Sequence, residues 1–359
     1  MKKLLSVVVL LTLLLGVAPS GFADKKLTSY TLLVNAEPVS LSSSTGYIAK
    51  TSNGRLMLPL KKICQELGLE TKMNGKKKQL TVTLNSGKKL VATSGSKVIK
   101  VGSSKKTLKS KCYMQSGKVL MADAGILSYM GYTYRKAATS SDLIARGYKG
   151  SVVSIGKKGT TPKIPALPDN SAVSKLDAAQ ETDQIIYVQY KGGSKAKVSM
   201  YQKNKYDRWT LVKSANGYVG KNGIDKKKEG DKRTPTGTYN LTQAFGILKD
   251  PGTALPYVKV TKYHYWCGDS TSKYYNQLID TRVTGRKRTS KDEYLINYKG
   301  AYNYAIFIDY NKEGTPYKGS CIFLHCSTGR ATAGCVSVPQ STMVTFLRKL
   351  KPGAKIVIE

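Results

Sequence analysis

Histidine is nearly absent from this chain: 359 residues contain two, His264 and His325. The six cysteines form no Cys-x-x-Cys pair, so the close ligand spacing of a structural zinc site is missing. They are also too sparse for a disulfide scaffold. Acidic residues are few, 22 against 59 lysines and arginines, giving a net charge of +37. That imbalance points to a polyanionic partner without choosing it. No nucleic-acid-binding module accompanies the charge, and short runs such as Lys76–Lys78 and Lys226–Lys228 read as solvated loop tips. After the first 23 residues no apolar run approaches the roughly 20 residues of a membrane-spanning helix.

The N-terminus has the form of a secretory signal peptide. Lys2 and Lys3 precede an apolar run from Leu4 to Val17, and Gly21-Phe22-Ala23 is a small-x-small cleavage site. Residues 1–23 are therefore expected to be removed. Export disfavours nucleic acid as the partner and favours the anionic polymers of a bacterial envelope. The roughly 335 residues that remain suggest two or three domains.

A repeat of offset 63 organises the first third. Gly54-Arg-Leu-Met-Leu58 aligns with Gly117-Lys-Val-Leu-Met121, Ile63 with Ile126, and Leu67-Gly68 with Met130-Gly131. Each copy reads as strand, short amphipathic helix, glycine stop and strand. In the first copy Leu60, Ile63, Cys64 and Leu67 carry the helical spacing. Two such copies predict one α+β domain over residues 28–147. Residues 148–181, rich in glycine and proline, read as a linker.

Residues 182–359 read as mainly β. Strand patterns cover Ile185–Val188, Ala196–Met200 and Trp209–Val212, with a hairpin turn at Lys191–Ser194. One late helix begins at Pro339, with Met343, Phe346, Leu347 and Leu350 as its buried stripe, and Pro352-Gly353 ends it. Lys355–Ile358 closes the chain as a strand.

The chemistry concentrates in Phe323-Leu-His-Cys-Ser-Thr-Gly-Arg-Ala-Thr-Ala-Gly-Cys-Val-Ser-Val-Pro339. A thiol and an imidazole are the minimum kit for covalent acyl transfer. Alternation places Ile322 and Leu324 on one face of a strand and Phe323 and His325 on the other. Val336 and Val338 form a second short strand. Antiparallel pairing around the polar loop 327–334 would set residues near 325 and 335 about 5 Å apart. Gly334 would let a substrate approach the backbone and leave N–H groups free for an oxyanion. Spacing alone leaves other readings open: a small buried cysteine, a structural histidine, or a zinc site drawn from His264, Cys267, His325, Cys326 and Cys335. If Cys335 is a free thiol, Cys64, Cys112, Cys267, Cys321 and Cys326 remain, and at least one of these is unpaired within the chain.

Two resemblances follow from these segments. Leu33-Val-Asn-Ala36, Asn53-Gly-Arg-Leu-Met-Leu-Pro-Leu60 and Glu66-Leu-Gly-Leu69 resemble the stalk domain of bacterial surface proteins that is similar to the copper amine oxidase N-terminal domain. In the second copy Ala122-Asp123 replaces Pro59-Leu60. The resemblance implies a spacer or wall-contact role and no chemistry. Gly319-Ser-Cys-Ile-Phe-Leu-His325 and Thr332-Ala-Gly-Cys-Val-Ser-Val-Pro339 resemble the L,D-transpeptidase catalytic domain of the YkuD type. Val219–Gly223, Glu229–Thr238, Tyr265–Asp269, Tyr274–Asn276 and Tyr304–Asn311 match it in order.

The second resemblance implies a mainly β catalytic domain, a mixed β-sandwich with a late helix. It also implies acyl transfer between peptidoglycan stem peptides, with Cys335 as nucleophile, His325 as general base and the Gly334 and Cys335 backbone at the oxyanion. It implies acylation by carbapenems and no metal or cofactor. The common pattern has a histidine where Ala333 stands and an arginine where Ser337 stands. Arg330, Thr332 and Ser337 on the nucleophile side, and His264 and Asp269 upstream, are the candidate substrate contacts. The alternatives within the enzyme class are an L,D-carboxypeptidase and attachment of a protein to the wall; a non-catalytic wall-binding protein is the alternative outside it.

Overall fold

The computed structural model describes residues 30–359 and the two-residue strand Lys25–Lys26. The leader read at residues 1–23 lies outside the described residues. The chain divides into two compact units, with the main boundary between residues 165 and 166; residues 145–147 belong to the second.

In the N-terminal unit the repeat is visible as local structure. Strand Leu56–Pro59 runs directly into helix Leu60–Glu66, which buries Leu60, Ile63 and Cys64. Strand Val119–Asp123 runs into a 3-10 turn, Ala124–Met130, that ends at Gly131 with φ +87°. Asp123 accounts for the difference between the copies, because its carboxylate accepts the Gly125 N–H at 2.8 Å and caps the tighter turn. The two strands pair antiparallel, with Leu58 opposite Ala122 and Pro59 opposite Met121. With an offset of 63, the second pair is the repeat image of the first, so the copies meet about a local two-fold.

The segment read as a linker is only partly one. Val152–Lys157 is a buried strand, parallel to Thr31–Val34 and antiparallel to Tyr132–Ala137. Its β-branched run Val152-Val153 and Ile155 is what seals that sheet. The glycines and prolines that suggested a linker flank this run.

The strands of the C-terminal unit are labelled β1 (Gln184–Tyr190), β2 (Lys195–Lys203), β3 (Trp209–Tyr218), β4 (Gly237–Gly246), β5 (Tyr257–Lys259), β6 (His264–Trp266), β7 (Leu278–Asp280), β8 (Ala305–Ile308), β9 (Phe323–Cys326), β10 (Val336–Val338) and β11 (Lys355–Ile358). Nine form one sheet in the order β5-β4-β8-β9-β10-β3-β2-β1-β11, and β11 pairs back onto β4. Eight strands thus close a ring, with β5 outside it; β6 and β7 form a separate hairpin. Closure removes the open edges that a sheet of this size would otherwise expose.

Alternate residues of the ring strands point into one core. Ile186, Val198, Ile306, Leu324, Val336 and Ile356 meet there. Helix Gln340–Lys349, between β10 and β11, plugs this core with Met343, Phe346 and Leu347, followed by Leu350 at its C-cap, which is the stripe read from the sequence. Phe346→Ala is expected to cost about 3–5 kcal/mol, because the ring interior cannot collapse onto the void. Chemical denaturation of the full chain checks this; a loss below about 1 kcal/mol would mean the helix does not plug the ring.

Candidate active site

Strand β9 has two faces with different duties. Leu324 and Cys326 join the ring core, while Phe323 and His325 point to the outer side. There Phe323 meets Trp266 at 4.8 Å and Phe245 at 5.1 Å between ring centroids, and Tyr302 at 5.6 Å. The chain has five phenylalanines and two tryptophans, and three of the former (Phe245, Phe307, Phe323) and one of the latter pack in this cluster. Cys335 belongs to the same cluster.

The expected hairpin is not formed. β9 and β10 run parallel, with Leu324 beside Val336 and His325 beside Ser337. Parallel neighbours need a crossover. Residues 327–335 make it by reaching sideways to the end of β3, where Thr332 bridges Gly220, donating its N–H to Val219 and accepting from Lys221. Cys335 and His325 are therefore not cross-strand partners. They line one cavity of about 630 Å³ instead.

Each of the two has fixed partners. The Cys335 thiol donates to the Cys321 carbonyl at 3.2 Å and accepts the Phe323 N–H at 3.4 Å. Burial, reinforced by the Glu293 carboxylate, pushes this thiol well above the ordinary cysteine range; the Phe323 N–H and Lys226 pull weakly the other way. His325 Nδ1 lies 2.9 Å from the Cys326 carbonyl. A carbonyl only accepts, so Nδ1 carries the proton, and the neutral ring keeps its lone pair on Nε2. Burial lowers this imidazole to about 4, against a weaker opposing effect of the Cys326 carbonyl. The resting pair is thus neutral thiol and neutral imidazole.

The Cys321 carbonyl is itself held in place. Cys321, in the left-handed region at φ +57°, donates its N–H to Asn276 Oδ1 at 3.0 Å. Asn276 is buried, also accepts from Trp266 Nε1 at 3.0 Å, and donates to the carbonyls of Tyr310 and Asn311. One amide ties four segments together beside the thiol.

The structure sorts the residues singled out from sequence. Gly334 has φ +149°, and a Cβ there would lie 3.0 Å from the Arg233 carbonyl, so the position favours glycine. Its N–H donates to Thr332 Oγ1 at 3.1 Å. The Cys335 N–H has no such partner among the described residues. Thr332 lines the cavity and donates to the Cys335 carbonyl at 2.6 Å, fixing the turn. Arg330 is exposed and lines the cavity.

Ser337 is buried between β9 and β3 and does not line the cavity. His264 also lies outside it; its Nδ1 accepts from the Thr261 N–H at 3.1 Å and its Nε2 faces Asp280 at 3.5 Å. Asp269 caps its own loop through Thr271 and pairs with Lys291 on the cavity rim.

Other cavity residues escaped the sequence reading. Lys226, read as part of a solvated loop tip, is buried and paired with Asp231 at 2.9 Å. Glu293 accepts from the Tyr302 hydroxyl, and Tyr302 packs edge-on against His325 at 5.5 Å. Glu293 sits 32 positions before His325, with no spacing signal to connect them. None of the six cysteines is in a disulfide. Among the described residues no three His, Cys, Asp or Glu side chains converge as a metal site, and the residues of the zinc reading are dispersed.

Residues 184–358 match the family model of the L,D-transpeptidase catalytic domain (YkuD), and residues 33–143 match that of the copper amine oxidase N-terminal domain. No curated protein matches the chain. Among solved structures it is similar to an Enterococcus faecium L,D-transpeptidase C442S mutant, at 12% identity over 92% of this chain and 94% of that one, TM-score 0.23. It is similar also to the Ldtfm–avibactam carbamoyl enzyme, at 12% identity over 92% and 93%, TM-score 0.24.

The neutral resting pair sets a pH dependence. A thiol held above the ordinary range stays protonated at pH 7, and its thiolate fraction grows only as pH climbs toward the raised value. Alkylation of Cys335 by iodoacetamide, followed by peptide mapping, is expected to be slow at pH 7 and still rising at pH 9. A plateau reached below pH 7 would instead reveal a preformed thiolate–imidazolium pair.

Proposed function

We propose that this chain, whose residues 184–358 match the family model of the L,D-transpeptidase catalytic domain (YkuD), is an exported enzyme that crosslinks peptidoglycan stems through a thioester on Cys335. The observation that carries the reading is the presence, in one cavity, of a thiol and an imidazole whose Nδ1 is already satisfied. The Nε2 lone pair is then the available proton acceptor.

In the proposed first half-reaction, Cys335 Sγ attacks the carbonyl carbon at the L-centre of a diaminopimelate residue in a tetrapeptide stem. Its proton passes to His325 Nε2. The Cys335 N–H, without an internal partner, meets the developing oxyanion. Collapse breaks the peptide bond, and His325 returns the proton to the departing D-alanine. In the second half, the amine of another stem attacks the thioester carbonyl, the C–S bond breaks, and a 3→3 crosslink forms. The amine proton passes through His325 to the thiolate, restoring the resting pair. No cofactor or metal takes part.

Substrate carboxylates have cations to meet at the rim, where Lys232, Lys291 and Arg330 line the cavity. With Ser337 buried, these take the place of the arginine in the common pattern. The wider excess of basic charge suits anionic wall polymers. No helix among the described residues is long and apolar enough to cross a membrane, and the leader at residues 1–23 is the proposed export signal.

Two measurements check this reading. Intact-protein mass spectrometry after incubation with a carbapenem should show one covalent adduct, absent in Cys335→Ala; an adduct that survives the substitution removes the nucleophile assignment. Incubation with disaccharide tetrapeptides should yield D-alanine and 3→3 dimers, with the rate reduced at least about a hundredfold in His325→Ala. Tripeptide monomer without dimer would establish a carboxypeptidase instead.

A further inference from the structure

The chain carries 59 basic residues against 22 acidic ones, and its carboxylates around the cavity are almost all claimed. Asp231 pairs with Lys226, Asp292 with Arg286 and Asp269 with Lys291. Glu229 accepts hydrogen bonds from the Tyr275 and Ser320 hydroxyls. Of the two carboxylates here without an ion pair, Glu229 and Glu293, it is Glu293 whose charge reaches the Cys335 thiol. It lines the cavity with Cys335 and His325, and no lysine or arginine pairs with it among the described residues. Its partners are two neutral groups, the Tyr302 hydroxyl and the Cys321 thiol.

The position is built rather than incidental. The Glu293 backbone exchanges both hydrogen bonds with Trp266 at 2.9 Å, so it is fixed to β6. The preceding residue, Asp292, is buried and holds Arg286, the Thr289 N–H and the Thr289 hydroxyl. These bonds aim one carboxylate at the cavity that contains the thiol. Burial raises the Glu293 carboxyl above the usual carboxylate range, and when ionised its charge opposes formation of the Cys335 thiolate. Lys226 acts in the other direction but is already paired. A carboxylate so placed hinders the reaction unless a cation arrives with the substrate.

We propose that Glu293 is the subsite for a primary ammonium group on the acyl donor, and that occupying it releases the thiol from the carboxylate's charge. The inference rests on the crosslinking reading above, in which the donor residue is a diamino acid. Glu293 is thus a specificity residue that couples recognition of that side chain to activation of Cys335. A donor that lacks the ammonium leaves the carboxylate unpaired beside the forming thiolate and is rejected.

The test uses the full chain and synthetic stem tetrapeptides whose third residue is lysine or its uncharged analogue norleucine. D-alanine release from the lysine stem is expected to have a kcat/KM at least about tenfold above the norleucine stem, the scale of one charge-assisted contact. Glu293→Gln, which keeps an acceptor for Tyr302, should erase that preference from both sides, raising release from the norleucine stem and lowering it from the lysine stem. In the same variant the pH profile of iodoacetamide alkylation at Cys335 should move to lower pH, a readout that needs no peptide. Tyr302→Phe, which leaves the charge in place, should keep the preference. Equal release from both stems by the wild type, or an undiminished preference in Glu293→Gln, overturns the proposal while leaving the crosslinking reading intact. Release from neither stem contradicts that reading and removes this proposal with it, whereas an alkylation profile unmoved in Glu293→Gln shows that the carboxylate does not govern the thiol.

Discussion

The positions of Cys335 and His325 depend on one short strand, Phe323–Cys326, that is buried on both faces. Its inward residues, Leu324 and Cys326, are locked into the ring core. Its outward residues, Phe323 and His325, are pressed against Trp266, Phe245 and Tyr302. A one-residue slip would exchange the two sets, placing imidazole in the core and leucine at the cavity. The strand also donates the Phe323 N–H to the Cys335 sulfur and places the Cys326 carbonyl that sets the imidazole tautomer. Register and chemistry are therefore fixed by the same packing.

Around that strand the cavity combines tight geometry with unfavourable electrostatics. Burial leaves thiol and imidazole both neutral, with the thiol bonded to the Cys321 carbonyl rather than to His325. Such an arrangement protects the thiol from adventitious reaction, because the thiolate is the reactive form. The cost is that activation must come with the substrate. Removal of water and the charges that the substrate brings are the available means, and Glu293 is the carboxylate best placed to respond to them.

Much of this was legible in the sequence because periodicity reports which way a side chain faces. The alternation around His325, the stripe Met343, Phe346, Leu347 and Leu350, and the repeat of offset 63 all express burial, and burial is what the folded chain preserves. Strand direction is different: an alternating pattern is the same whether a neighbour runs parallel or antiparallel. The crossover 327–335 is short enough to suggest a hairpin, and only its anchorage on Val219 and Gly220 makes the parallel path possible. The strand Val152–Lys157 was obscured by the glycines and prolines flanking its own β-branched run. Asn276 reaches the site through Cys321, 45 positions away, and Glu293 through Tyr302 and Cys321, relations that no local pattern carries.

The central claim is that Cys335 carries the acyl group as a thioester. Trapping the enzyme with a tetrapeptide stem in the absence of an acceptor amine, followed by peptide mapping, addresses it most directly. The expected result is an adduct on Cys335 with the mass of the stem minus D-alanine, labile to hydroxylamine. An adduct mapped to any other residue, or D-alanine release that persists at full rate in Cys335→Ala, would contradict it.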